Sequence, residues 1–339
     1  LGGVTRRKPG LSPSLALFLL APTIGELLSG SSPPSEFLNP VGFALLAGLY
    51  GSGALLMREL AFRWKRGYAS LLVLGAAYGI IEEGLMVKSF FDPSWPDLGL
   101  LGVFGRWEGV NWVWAEMLTV YHAVFSITIP VQLTELACPL QRDQPWASRR
   151  PLAALAVILA TTVLIGFVFL TPYRPPGFPY LLAAAATVLL MSFARRLPRR
   201  LTEGGSKPLP RPLWLGAAGF SWSLGFFLNF WALPHVTPWP GLVMLSGGIL
   251  TLGFAFFLKR FDWKPSHRLH RWALAAGVLS FLILLAPLQE LDATRTDNPR
   301  GMAFVGLAFL LGLLWLRRRI LSGMRPLDRA ETIVFPGLQ

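Results

Sequence analysis

The chain has 339 residues, 53% of them hydrophobic and only 14% charged, with a net charge of +13. Soluble domains carry about 25% charged residues, so this composition excludes an ordinary water-soluble domain and indicates a polytopic membrane protein. A single cysteine, Cys138, excludes an internal disulfide and any multi-cysteine metal site.

A membrane-spanning helix needs about 20 mostly apolar residues. Ten stretches approach that length: 12–29, 41–57, 69–90, 112–137, 151–171, 180–194, 213–233, 241–258, 272–288 and 301–316. They predict an all-α, ten-span transmembrane bundle forming one integral membrane domain. Its helical halves, 1–194 and 212–339, are joined by the basic loop 195–211. Of the 31 Lys and Arg residues, 26 lie before the first stretch, in alternate connections or after the tenth. Because positive residues stay on the cytoplasmic side, both termini of this multi-pass cell-membrane protein are expected in the cytoplasm. The basic rim is assigned to the anionic inner leaflet of the lipid bilayer, and nucleic acid is not expected as a partner. The opening TRRK and the apolar run after it have the outline of a signal peptide. Pro22 and Glu26 interrupt that run, and it is read as a retained first helix.

In chain order, the first stretch carries Glu26 near its outer end, ahead of the turn-forming residues 30–34. Gly48, Gly51 and Gly53 in the second permit close helix contact in lipid. The third places Glu82 and Glu83 side by side, with Lys88 after them. A charge at a helix centre costs roughly 2.5–3.5 kcal/mol, so two adjacent carboxylates call for a proton, a cation or a polar partner. Neighbouring residues on a helix diverge by about 100°, which lets one glutamate face a cavity while the other meets a neighbouring helix. The following loop mixes Asp92, Asp97 and Glu108 with Trp95, Trp107 and Trp112. It reads either as a cap at the membrane interface or as a lid whose Arg106 meets an anionic group.

The fourth stretch contributes Glu116, then Thr119, His122 and Ser126 on one helical stripe. At about 1.5 Å rise per residue, His122 reaches the height of the glutamate pair when the two helices are antiparallel neighbours. Stretches five and six carry no intramembrane charge and read as scaffold. The seventh adds Asn229, and His235 beyond Pro234, arriving at the outer side. The last three are apolar apart from Gln289 and Glu290 at an outer end.

The pair Glu82-Glu83, followed about forty residues later by Leu118-Thr-Val-Tyr-His122, resembles the first two motifs of the CAAX-protease and bacteriocin-processing family of intramembrane proteases. The resemblance covers residues 78–126 and implies a core at about spans two to seven. It further implies that Glu82 or Glu83 activates water with help from His122, and that Asn229 or His235 donates to an oxyanion. Lys88, Arg106, Glu116 and Ser126 are the expected substrate contacts, and the expected substrate is a membrane peptide or protein. The chemistry is coherent, since a buried carboxylate is a better base near neutral pH. Intramembrane ionisable residues also mark ion and proton pathways, so an ion- or proton-coupled transporter or channel is the alternative. A non-catalytic scaffold is the third reading. No cofactor is legible, and metal use stays open.

Overall fold

The structure, a computed structural model, describes residues 12–198, 201 and 204–324. The basic TRRK and the final Arg325 and Arg329 lie outside the described residues. The helices, numbered in chain order, are α1 (Pro13–Leu28), α2 (Pro40–Arg63), α3 (Tyr68–Met86), α4 (Trp112–Ala137), α5 (Arg149–Phe169), α6 (Gly177–Arg196), α7 (Pro212–His235), α8 (Pro240–Lys259), α9 (Arg268–Leu291) and α10 (Met302–Ser322). Among the described residues, the eight helices α2 to α9 are long and apolar enough to cross a membrane. The helix α1 is shorter, and α10 carries Arg317–Arg319 near its end. Each apolar stretch of the sequence overlaps one of these helices. The only paired strands described are the two-residue hairpin arms β1 (Arg106–Trp107) and β2 (Val110–Asn111).

Local chemistry sets several helix starts. Asn39 caps α2 by accepting from the amides of Val41 and Gly42 at 3.0 and 3.2 Å, and Pro40 occupies the first turn, where its missing N–H costs nothing. Asn111, fully buried, caps α4 by accepting from the Trp114 amide at 3.0 Å. Its own amide group donates to the Leu101 carbonyl, which ties the loop to the helix it precedes.

Burial ranks the helices. The apolar window of α4 is 83% buried, against 17% for α5 and 11% for each of α6 and α8. The helix α4 is therefore the central post, and α5, α6 and α8 turn most of their surface outward. One apolar core joins α4 to α7, α9 and α10, where Phe125 stacks on Trp222 and Phe227 on Phe281. A second joins α1, α2 and α3 to the far half of α4 through Leu17, Tyr50, Leu74, Tyr78, Ile127 and Val131.

The helices α3 and α4 meet backbone to backbone. A Cβ at Gly75 would stand 2.7 Å from the Ala123 Cα, and one at Gly79 would stand 3.0 Å from the His122 Cβ. Spaced four apart, these glycines let the two helices approach closely. That contact sets the height of everything His122 can touch.

Loop 87–111 folds over this end of the bundle. Its own Phe90, Phe91, Leu98 and Leu101 are buried, so it packs as a cap. The apolar stretch ending at residue 90 stops being helical at Met86, and Lys88 lies beyond it with φ at +68°. This left-handed conformation is uncommon for a residue with a side chain. It turns the chain so that the wholly buried ammonium of Lys88 reaches the carbonyls of Phe167 and Thr171, at 2.8 and 3.1 Å, where α5 ends.

Candidate functional site

Four helices change hydrogen-bond pattern where they meet. Thr23–Leu28 of α1, Ala47–Gly51 of α2, Ile80–Met86 of α3 and His122–Thr128 of α4 are π-helical. Such turns are rare and occur frequently at functional sites. Here they carry Glu26, Tyr50, Glu82 with Glu83, and His122 with Ser126, in that order.

At the centre His122 lies between the two glutamates. Its Nε2 is 3.1 Å from Oε1 of Glu83, and its Nδ1 is 3.3 Å from Oε2 of Glu82 and 2.9 Å from Oγ of Ser126. The second oxygen of Glu83 accepts from the Ser89 hydroxyl, which itself accepts from the Trp114 indole N–H at 3.0 Å. Oε2 of Glu82 has no hydrogen-bond partner among the described residues. The rings of Tyr50, Tyr78 and Tyr121 surround the imidazole, with centroids 6.0, 6.0 and 5.3 Å away. Tyr50 donates to Glu26, which also accepts from Ser32 at 2.7 Å, so α1 joins the same polar group. The side chain of Glu83 is 12% exposed, against 5% for Glu82 and 2% for His122.

The trio can also present one ligand atom each within 4.8 Å of one another, a donor set of two carboxylates and one imidazole. In a metal site one imidazole nitrogen takes the ion while the other keeps a hydrogen bond, and Nδ1 of His122 already has Oγ of Ser126 at 2.9 Å. Acid–base chemistry fits the same arrangement: Glu83, the imidazole and Ser126 stand in hydrogen-bond order, with Glu82 3.3 Å from Nδ1.

The other expected site residues lie elsewhere. Arg106 spends its guanidinium on the carbonyls of Phe91, Gly102 and Asp92, at 2.7, 3.1 and 3.4 Å. It braces the loop instead of offering a charge to an anion. Lys88 is likewise turned away from the trio, toward the end of α5. Asn229, in a π-helical turn of α7, donates to the Val243 carbonyl at 3.0 Å and accepts from Ser246 at 2.5 Å, which bolts α7 to α8. His235 is exposed at the end of α7. Glu116 points to α8, where a Cβ at Gly247 would stand 3.1 Å from its Oε1.

Residues 15–333 match one family description, an uncharacterized membrane protein family. The chain belongs to that family. No curated protein and no solved structure matches it. The family match spans nearly the whole chain and overturns the resemblance to the CAAX-protease and bacteriocin-processing family, which rested on residues 78–126 alone. The side chains agree with this correction. Lys88 reaches α5, and neither Asn229 nor His235 joins the glutamates. What the family supports is a multi-pass membrane protein.

Reading the sequence missed four members of this family member's polar group. Tyr78 was legible, one turn before Glu82 on the same helix. Tyr50, Ser89 and Trp114 carry no local signal, because only the contact of separate helices brings them to the glutamates.

Proposed function

We propose that the protein is a membrane-embedded hydrolase that cleaves an acyl bond of a membrane-inserted peptide or protein, with water activated by Glu83. The observation that supports this reading best is the imidazole of His122 held between two carboxylates, of which Glu83 is the more exposed. Glu83 accepts a proton from water as it attacks the acyl carbon. The Nε2 edge of His122 passes a proton to the leaving group. Ser126 and Glu82 hold the Nδ1 edge, and Ser89 with Trp114 fixes the glutamate's second oxygen. A base and a donor preset in one geometry supply general acid–base catalysis, typically worth 10²- to 10⁴-fold.

Conduction is the weaker reading. Beyond Ser126, Ile127 and Val131 pack with Leu71 and Leu74, and the polar Gln132 and Thr134 farther along α4 are spent on the carbonyls of Arg271 and Pro130, which suits a reaction site better than a pathway. For orientation, the basic connections converge at one end. Arg58 donates to the carbonyls of Arg142 and Gln144, and Arg66 to those of Arg195 and Leu197. With that end cytoplasmic, the ten helices read as ten spans, both termini face the cytoplasm and the site lies in the outer half.

The test is proteoliposomes incubated with two probes, a set of transmembrane peptides and a fluorogenic acyl-ester lipid, with products read by mass spectrometry. Wild-type protein is expected to release product from the transmembrane peptides, with E83Q and H122A reduced about 100-fold, and product from the lipid alone refutes a peptide or protein substrate. Product formation equal in wild type and E83Q sinks the proposal, as does no product from either probe.

A further inference from the structure

A second feature lies at the end of the bundle opposite the covering loop, where α1 begins and α4 and α10 end. There the three helices leave between them an apolar groove of 320 Å³. Leu20 of α1, Leu133 and Ala137 of α4, and Phe309, Gly312 and Trp315 of α10 line it. A Cβ at Gly312 would meet nothing within 4 Å, so the α10 side of the groove is open. Gly312 and Trp315 belong to one exposed stripe of α10, and the next residue of that stripe is Arg319, one turn closer to the helix end. Its guanidinium lies over the Trp315 ring, 5.4 Å from the centroid, so a positive charge stands against the groove's own wall.

A second arginine reaches the same end from α9. Nη2 of Arg268 donates to the carbonyl of Leu136, next to Ala137, at 3.1 Å, and its Nη1 would lie 3.9 Å from a Cβ at Gly323, just past α10. Its Nε is buried without a hydrogen-bond partner among the described residues, and an unpaired buried N–H on a cation is costly. One cation beside the last carbonyls of two helices is favoured by their dipoles. That does not account for a second: Arg319 acts on Arg268 as a like charge, and no acidic side chain opposes it. Neither arginine forms an ion pair among the described residues. Two uncompensated guanidinium groups at the mouth of an apolar groove, on the exposed face of a membrane bundle, match a phosphate joined to an acyl chain. Arginine takes phosphate oxygens with paired N–H donors, and basic pockets between membrane helices bind anionic head groups.

We propose that this groove holds a single anionic phospholipid, with an acyl chain along Phe309, Gly312 and Trp315 and the phosphate on Arg268 and Arg319. A zwitterionic lipid of the same chains fills the groove but brings an ammonium group to the two arginines. The site rests on the membrane location of the chain and stands whether or not the glutamate–histidine trio hydrolyses anything.

For the test, full-length protein delipidated in a neutral detergent is titrated with dioleoyl phosphatidylglycerol, dioleoyl phosphatidylcholine or glycerol phosphate, and bound molecules are counted by native mass spectrometry. Wild type is expected to hold one phosphatidylglycerol at least tenfold more tightly than phosphatidylcholine, and glycerol phosphate not at all. R319Q weakens phosphatidylglycerol tenfold or more and leaves phosphatidylcholine unchanged, a split that a folding defect would not give; R268Q does the same. G312W fills the groove two turns away from Arg319 and weakens both lipids. R150Q, at an exposed arginine in the first turn of α5, leaves binding unchanged. Equal affinity for the two lipids overturns the proposal. So does R319Q keeping the wild-type preference, G312W binding as wild type does, R150Q losing as much as R319Q, or glycerol phosphate binding as tightly as the lipid.

Discussion

Replacing Gly75 by alanine tests whether helix contact sets the site. The added methyl would sit 2.7 Å from the Ala123 Cα, 3.0 Å from its carbonyl oxygen and 3.2 Å from the Ile127 Cβ. Carbon atoms prefer about 3.5–4.0 Å, and two of these three obstacles are backbone, so α3 and α4 must separate by about 1 Å. His122 is next in sequence to Ala123. The same displacement carries its 3.1 and 3.3 Å contacts with Glu83 and Glu82 to about 4 Å, beyond hydrogen-bond range. Overpacking of this kind costs about 1–3 kcal/mol, and a 1 Å misplacement of catalytic groups can cost about 10²-fold in rate. The control is Gly253→Ala on α8, where nothing lies within 4 Å of the new methyl and helix propensity favours alanine by up to about 1 kcal/mol. Thermal unfolding in nanodiscs, with mass-spectrometric mapping of diethyl pyrocarbonate on His122, reads both effects. G75A is expected to unfold earlier and to open His122 to the reagent, while G253A does neither. If G75A matched G253A in both measurements, close contact of α3 and α4 would not be what locks the histidine to its glutamates.

Other consequences follow from individual contacts. A carbodiimide carried in the membrane should label Glu83 ahead of Glu82, since their side chains are 12% and 5% exposed; peptide mapping after brief treatment gives the order, and the reverse order would remove Glu83 as the group that meets water. Lys88→Met should cost about 3 kcal/mol or more, because two hydrogen bonds from a charged donor to the end of α5 are lost; unfolding in detergent measures it. Burial lowers the His267 imidazole below its ordinary 6.5, in the connection between α8 and α9, with Lys264 and Arg271 adding to the effect and Asp262 opposing it. The unfolded chain therefore takes up this proton first as pH falls, so stability is full above about 6.5 and declines below it toward the lowered value. Thermal unfolding at pH 7 and pH 5 should show a smaller decline in H267A than in wild type.

The all-helical class was legible because an apolar stretch of about 20 residues has one solution in lipid, and each of the ten stretches falls on a helix. The heart of the site was legible too. Glu82, Glu83 and His122 are costly in an apolar helix, and rise per residue put them at one height. The loop residues were not, because Lys88 and Arg106 read as free charges until their carbonyl partners are known. Those partners are backbone oxygens, and every residue has one. Asn229 and Glu116 failed differently. Each lies on a helix that packs against α8, and a polar residue in a sequence does not say which neighbour its helix will choose.

The π-helical turns have a further consequence. Each closes a ring one residue longer than an α-turn, so the helix beyond it is rotated by about 100° relative to an uninterrupted α-helix. Of the four helices that carry such a turn at the polar group, α1 and α3 end in it, whereas α2 and α4 run on to Arg63 and Ala137, and the faces that these two present on either side of the turn are set by the extra residue. Counting residues, the site is made of insertions as much as of side chains. Its natural reversal is deletion of one residue within a turn, which would restore a plain helix and swing an entire half-helix, polar face included, out of alignment.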